Sequence, residues 1–189
     1  MFIISGCNGS GKTTASYQML PEMLECREFV NSDEFAKYLS PFDPNAAAVS
    51  ASRYMLLKIN YLLERNLDFG LETTLATKTL VRIIERAKKQ GYTITLLYFW
   101  LNSPELALKR VAARVAAGRH NIDEDTIRRR YDRGLHYFFE PYAPLCDKWV
   151  LCDNSNPPFS VIAEGGNDGL IIRDSAKYYD IWEKINDTQ

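Results

Sequence analysis

Gly6-Cys7-Asn8-Gly9-Ser10-Gly11-Lys12-Thr13 carries glycines, a lysine and a hydroxyl in the spacing G-x-x-x-x-G-K-[ST]. Glycines in such a loop let successive backbone N–H groups turn inward, toward phosphate oxygens. A helix starting at the loop adds the positive end of its dipole. The lysine reaches the β- and γ-phosphates and the hydroxyl ligates Mg²⁺. Asn8, Gly9, Ser10, Gly11, Lys12, Thr13 and Thr14 are therefore the candidate nucleotide contacts, and Thr13 the candidate metal ligand. A glycine-rich turn without function is the competing reading. The context argues against it, because Phe2–Ser5 reads as a short buried strand and Thr14–Leu24 as a helix.

Further carboxylates and cations fall where strands should end. Asp33, in Asn31-Ser32-Asp33-Glu34, follows a second candidate strand. There it can take a proton from an acceptor hydroxyl or hold a water on Mg²⁺, or it can simply cap a helix. Glu72, followed by Thr73 and Thr74, ends a third strand. It suits a substrate hydroxyl or a metal-bound water, and equally a plain turn carboxylate. Arg110 and Arg114 are four residues apart on one helix face. Arg119, His120, Arg128, Arg129, Arg130 and Arg133 follow. Between Lys109 and Arg133 there are eight basic residues against four acidic ones. An arginine-rich helix–loop–helix downstream of a phosphate loop suits a lid, because a guanidinium stays charged and binds phosphate oxygens in pairs. Most single arginines would still be solvated helix faces. Asn154, after a fifth strand, lies where a loop could pass an adenine ring or where Asn merely favours a turn.

These residues need a scaffold, and the chain supplies one. Short apolar runs alternate with helical periodicity, the mark of an α/β fold with crossover helices. Candidate strands are Phe2–Ser5, Glu28–Asn31, Asp68–Glu72, Tyr92–Leu101 and Lys148–Asp153. The helices read as Gly11–Leu24, Asp33–Leu39, Asn45–Arg65, Lys78–Gln90, Pro104–Ala117 and Asp123–Phe139. Phe159–Ala163 and Gly169–Arg173 suggest a small C-terminal hairpin, and Ala176–Ile185 a last helix. The 189 residues suffice for a single domain (1–189), with 109–133 as the lid-like segment and 159–189 as hairpin and helix.

Composition excludes several classes. The net charge of −1 gives no global attraction to nucleic acid or to an anionic membrane. No apolar run reaches the length of a membrane span. Cys7, Cys26, Cys146 and Cys152 show neither zinc-site spacing nor a disulfide pattern, which fits a reducing cytoplasm. With the phosphate loop at residue 6, no secretory leader is expected. An Asn-Lys-x-Asp guanine signature is missing, which argues against a GTPase-type switch. An ATPase without a small-molecule acceptor stays open beside a kinase.

The ordered motifs resemble the zeta-toxin family of P-loop kinases. They are Gly6–Thr14, Phe29–Glu34, Glu72–Leu75, Ser103–Leu108 running into Arg110-Val111, Arg114-Val115, Gly118–His120, Ile127–Tyr131, Asp153–Ser155 and Ile162–Gly166. The resemblance implies a P-loop NTPase three-layer sandwich around a mainly parallel five-stranded sheet. It implies ATP or GTP as donor, Mg²⁺, a UDP-N-acetylamino sugar as acceptor and an antitoxin protein as partner. On this pattern Lys12 is the phosphate lysine and Asp33 the general base. Glu72 and Thr73 lie on the substrate side, and Arg110, Arg119 and Arg114 clamp phosphates. The chain departs from many members at Cys7, Arg119 and Asp123.

Overall fold

A computed structural model describes residues 1–44, 46–117 and 122–186. Five parallel strands form its centre: β1 (Phe2–Gly6), β2 (Glu28–Val30), β3 (Phe69–Thr73), β4 (Thr95–Trp100) and β5 (Lys148–Asp153). The helices are α1 (Lys12–Glu22), α2 (Ser32–Leu39), α3 (Ala48–Glu64), α4 (Thr79–Lys89), α5 (Pro104–Ala116), α6 (Glu124–Tyr137), the short α7 (Ala143–Leu145) and α8 (Ser175–Asn186). Apart from α7, which the sequence reading did not include, each stands within a few residues of its expected span. The start of the expected third helix, Asn45, lies outside the described residues.

The sheet has seven strands rather than five. The expected hairpin forms, as β6 (Ser160–Gly166) and β7 (Gly169–Ile172) around Asn167-Asp168. It is not a separate appendage, because β6 pairs antiparallel with β5 and extends the sheet to the order β2-β3-β1-β4-β5-β6-β7. The physical reason is the free edge of β5, whose N–H and C=O groups need partners. A chain that turns back at Pro157-Pro158 supplies them without a crossover helix.

Alternation along the strands divides the core into two layers. Ile3, Leu71, Leu96, Tyr98 and Leu151 face α3, α4, α6 and α8, and pack with Ile59, Leu62, Ile84, Phe138 and Ile181. Ile4, Leu97, Phe99 and Cys152 face α1, meeting Ala15 and Leu20. Nearly every residue of β4 is buried, as a central strand covered on both faces requires. A third small cluster, Cys7, Leu101, Ala107, Val111 and Ile127, fixes α5 and α6 to the phosphate loop.

Three helix starts carry side-chain caps that set the site. Asn31 Oδ1 accepts from Asp33 N at 2.8 Å and so caps α2, while Ser103 and Asp123 cap α5 and α6. Farther along α6, Gly134 crosses the loop after β3 with no room for a methyl group. A Cβ there would stand 2.5 Å from the Thr74 carbonyl oxygen. Gly134→Ala should therefore lower stability by about 1–3 kcal/mol, the cost of overpacking. A melting curve of the ligand-free protein checks this.

Candidate nucleotide and acceptor site

The phosphate loop follows β1 at the carboxyl edge of the parallel strands, where α/β folds bind ligands. Gly6, Gly9 and Gly11 adopt φ of 138°, 80° and 90°, in the range where side chains are strained. Close packing explains Gly9 as well, since a Cβ would meet the Ala107 carbonyl at 2.8 Å. The loop thus lies directly against α5, and α5 is what brings Arg110 and Arg114 to it.

Lys12 is buried and donates through Nζ to the Cys7 carbonyl at 2.8 Å, keeping the ammonium inside the loop. Thr13 Oγ1 donates to Glu72 Oε1 at 3.0 Å, joining α1 to the end of β3. Glu72 is itself mostly buried, and its Oε2 has no hydrogen-bond partner among the described residues. Burial raises the Glu72 carboxyl above its ordinary range, and the nearby Lys12 opposes this only in part. The turn after Glu72 is strained: Leu75 adopts φ 54° although fully buried. Such a residue costs about 1–3 kcal/mol and persists because its surroundings hold it. Here the buried Leu75 side chain and the Leu75 N–H bond to Thr73 Oγ1 at 3.1 Å do so.

The raised Glu72 carboxyl has a consequence for stability. The folded form holds its proton at a pH where the unfolded chain has released it. Folded stability therefore falls as pH rises through that interval. Glu72→Gln removes the titration and keeps an oxygen acceptor for Thr13. Its melting temperature should exceed wild type at about pH 7.5 and converge with it in acid, as a calorimetric pH series would reveal.

A cavity of about 290 Å³ lies over the loop, lined by Asn8, Gly9, Gly11, Lys12, Thr13, Thr14, Asp33, Glu72, Thr73, Arg110, Arg114 and Arg130. Nearly all candidate residues thus converge on one space. A second cavity of about 580 Å³ adjoins it, reaching α2, α3 and α6 through Glu34, Lys37, Ser52, Thr126 and Arg129. Thr13, Ser32, Asp33, Arg114 and Arg130 line both. Asp33 sits in the first turn of α2 and is not its cap, because Asn31 holds that role. Its carboxylate is exposed at the boundary of the two cavities.

The arginines divide by position. Arg110 lines the first cavity while donating to the Ser155 carbonyl at 2.9 Å. Arg114 has a buried Nε without a hydrogen-bond partner among the described residues. Arg128 leaves the site altogether and ties Glu105 to Glu124 across α5 and α6. Arg130 is a site residue that the sequence did not single out from its neighbours. It is half-buried, and its Nη1 donates to Asn8 Oδ1 at 3.2 Å. Burial lowers its pKa and the Asp33 carboxylate opposes that. Helical spacing held a signal: Arg130 is three residues after buried Ile127 and four before buried Gly134. Arg119 and His120 lie outside the described residues.

Two expected nucleotide contacts do not line this cavity. Ser10 is fully buried beneath the loop and does not line the cavity. Asn154 also stays off the cavity wall and donates from Nδ2 to the Ser10 carbonyl at 2.7 Å. All four cysteines are buried and free, and burial raises the thiol of Cys7 to about 11, so it is an inert packing group. Among the described residues, no helix is long and apolar enough to cross a membrane.

The chain is similar to several known proteins. An uncharacterised protein of Haemophilus influenzae is 31% identical over 127 residues, covering 67% of this chain and 88% of that one. Among solved structures, a chain of the AvrRxo1-ORF1:-ORF2 complex with ATP aligns over 95% of this chain, with a TM-score of 0.71 and 15% identity. This chain spans 62% of the length of that one. A chain of the PezAT chromosomal toxin–antitoxin system of Streptococcus pneumoniae aligns over 87% of this chain and 71% of its own, with a TM-score of 0.65 and 17% identity. Deoxyadenosine kinase of M. mycoides, with bound dCTP, is a more distant match at TM-score 0.54 and 15% identity, over 84% of this chain and 92% of its own. These likenesses show that the chain shares the P-loop kinase-like α/β fold of those chains. The profile of the AAA domain (AAA_33) matches residues 1–141, which hold the phosphate loop, Asp33, Glu72 and the arginines of α5 and α6, and the chain belongs to that family.

Proposed function

We propose that this protein is a kinase that transfers the γ-phosphate of ATP or GTP to a hydroxyl of a small molecule. The observation that carries the proposal is the position of Asp33. It stands between a glycine-and-lysine cradle and a second polar cavity, and lines both. A phosphate-releasing ATPase needs the first cavity alone. A kinase also needs an acceptor pocket beyond the γ-phosphate, with a base that reaches the attacking hydroxyl.

The roles follow from the geometry. Amides of the phosphate loop and Lys12 bind the β- and γ-phosphates. Asp33 accepts the proton of the acceptor hydroxyl. Arg114 and Arg130, on the wall shared by both cavities, offset charge on the transferring group. Arg110 sits beside the loop, and Arg119 is proposed to complete the clamp. Glu72 and Thr73 line the first cavity, and the zeta-toxin resemblance is what proposes them as acceptor contacts. Mg²⁺ fits the residues present: the Thr13 hydroxyl and Glu72 are 3.0 Å apart and Glu72 Oε2 has no hydrogen-bond partner among the described residues. No group of three His, Cys, Asp or Glu side chains that could hold an ion forms among the described residues. When bound, Mg²⁺ supplies neutralisation of the β- and γ-phosphate oxygens.

The zeta-toxin resemblance makes a UDP-N-acetylamino sugar the first acceptor to test. An antitoxin-like protein partner belongs to the same proposal, supported by the AvrRxo1-ORF1:-ORF2 complex and the PezAT toxin–antitoxin system, and so does a cytoplasmic location, supported by the four free cysteines. The decisive assay incubates the protein with γ-labelled ATP, Mg²⁺ and either the sugar nucleotide or a metabolite extract. Label in an organic product supports the kinase; free phosphate alone under every condition rejects it.

A further inference from the structure

We infer that Asn154 is a positioning residue for the phosphate loop: by gripping the Ser10 carbonyl from outside the cavity it aims the Gly11 amide into it. The inference deepens the nucleotide-site reading and rests on it. It also gives the C-terminal part of the chain, beyond the family-matched residues 1–141, a share in the site.

Peptide planarity carries the argument. In a trans peptide the C=O and the following N–H point in opposite directions. Asn154 Nδ2 holds the Ser10 oxygen at 2.7 Å, and neither Asn154 nor Ser10 lines the cavity. The N–H of Gly11, in the same peptide plane, is thereby turned toward the cavity that Gly11 lines. Contact between the two residues is direct. A Cβ on Gly11 would stand 2.5 Å from Asn154 Nδ2, so the amide lies flat against the loop. Without this bond, the glycine at φ 90° has little to keep its peptide from rotating.

Asn154 is in turn held on several sides. Its backbone N–H donates to the Trp100 carbonyl at 2.9 Å, at the end of β4. Asp153 before it is mostly buried, pairs with Lys177 of α8 at 3.0 Å and accepts from Ser155 N at 2.8 Å. Ser155 Oγ accepts from Asn102 N at 2.8 Å, and the Ser155 carbonyl takes Arg110 Nη2 at 2.9 Å. The other arm of Arg110 reaches the Gly9 carbonyl at 3.5 Å. The segment after β5 is thus a strut between α8, α5 and the outer side of the loop.

The test uses the full chain and two probes, MgATP and inorganic tripolyphosphate with Mg²⁺, titrated by calorimetry. Asn154→Asp keeps the shape, loses the donor and sets a carboxylate against the Ser10 oxygen. Asn154→Ala loses the donor without adding charge. Positioning predicts that both variants bind MgATP and tripolyphosphate about tenfold or more weakly, by the same factor for the two probes. It also predicts a ligand-free melting temperature within about 4 °C of wild type and an unchanged acceptor KM. A loss confined to ATP would mean that Asn154 touches the base, and would overturn the inference. So would unchanged affinity for both probes in either variant. Failure of the wild type to bind either probe is a different result. It would overturn the nucleotide reading itself, and this inference with it.

Discussion

Lys12→Ala should reduce phosphotransfer by about 10³-fold or more and leave the fold intact. The two halves of this expectation have separate causes. Lys12 Nζ has one hydrogen bond, to the Cys7 carbonyl, and that oxygen keeps a second contact from Ser10 N at 3.3 Å. The glycine backbone, the packing of α5 on Gly9 and the Asn154 bond to Ser10 do not involve the lysine. The ligand-free melting temperature should therefore move by only a few degrees. Transferring a γ-phosphate, however, leaves growing charge on the donor's β-phosphate, and Lys12 is the cation enclosed by the loop that binds it. Transition states of this kind depend on such charges more than on covalent participation. Single-turnover transfer of γ-label, beside a thermal melt, measures both. Transfer at the wild-type rate would remove Lys12 from the mechanism.

Asp33→Asn should retain nucleotide affinity and lower kcat by about 10²–10⁴-fold, the range assigned to a positioned acid or base. Asparagine has the same shape, and the cap of α2 is formed by Asn31, so the helix start survives the change. What is lost is the acceptor of the hydroxyl proton. A favourable charge at the amino end of α2 also goes, at a cost of about 0.3–1 kcal/mol in stability. The diagnostic is the split between constants. The Kd for MgATP should stay within about threefold, while kcat falls. A variant that transfers phosphate normally would mean that Asp33 is only a first-turn carboxylate, the bland reading open to the sequence. A variant that loses nucleotide binding would place Asp33 in the donor site instead.

The contrast between Asp33 and Asn154 shows how far local sequence reaches. Both were candidates because they follow strands at one edge of the sheet, and each had an equal claim to be a turn or cap residue. The choice came from a near neighbour in one case and from a distant partner in the other. Asn31 took the cap and freed Asp33, while the Ser10 carbonyl, 144 residues away, engaged Asn154. Arg128 and Arg130 make the same point on one helix. Their side chains leave α6 on different sides, one toward Glu105 and Glu124, the other toward Asn8. Only the packing of Gly134 on Thr74 and of Ile127 on the α5 layer sets which side faces the loop.

The phosphate loop, the five parallel strands, the helices between them and the C-terminal hairpin were legible in the chain itself, because glycine spacing and apolar periodicity are local properties of the backbone and the burial it requires. The tertiary structure alone decided that the hairpin extends the sheet, that Arg130 joins the site, that Asn154 and Ser10 stand off the cavity wall, and that a second cavity opens beyond Asp33. Each of those outcomes depends on which edge, face or carbonyl remains free once distant elements have packed, and no local pattern of residues encodes that.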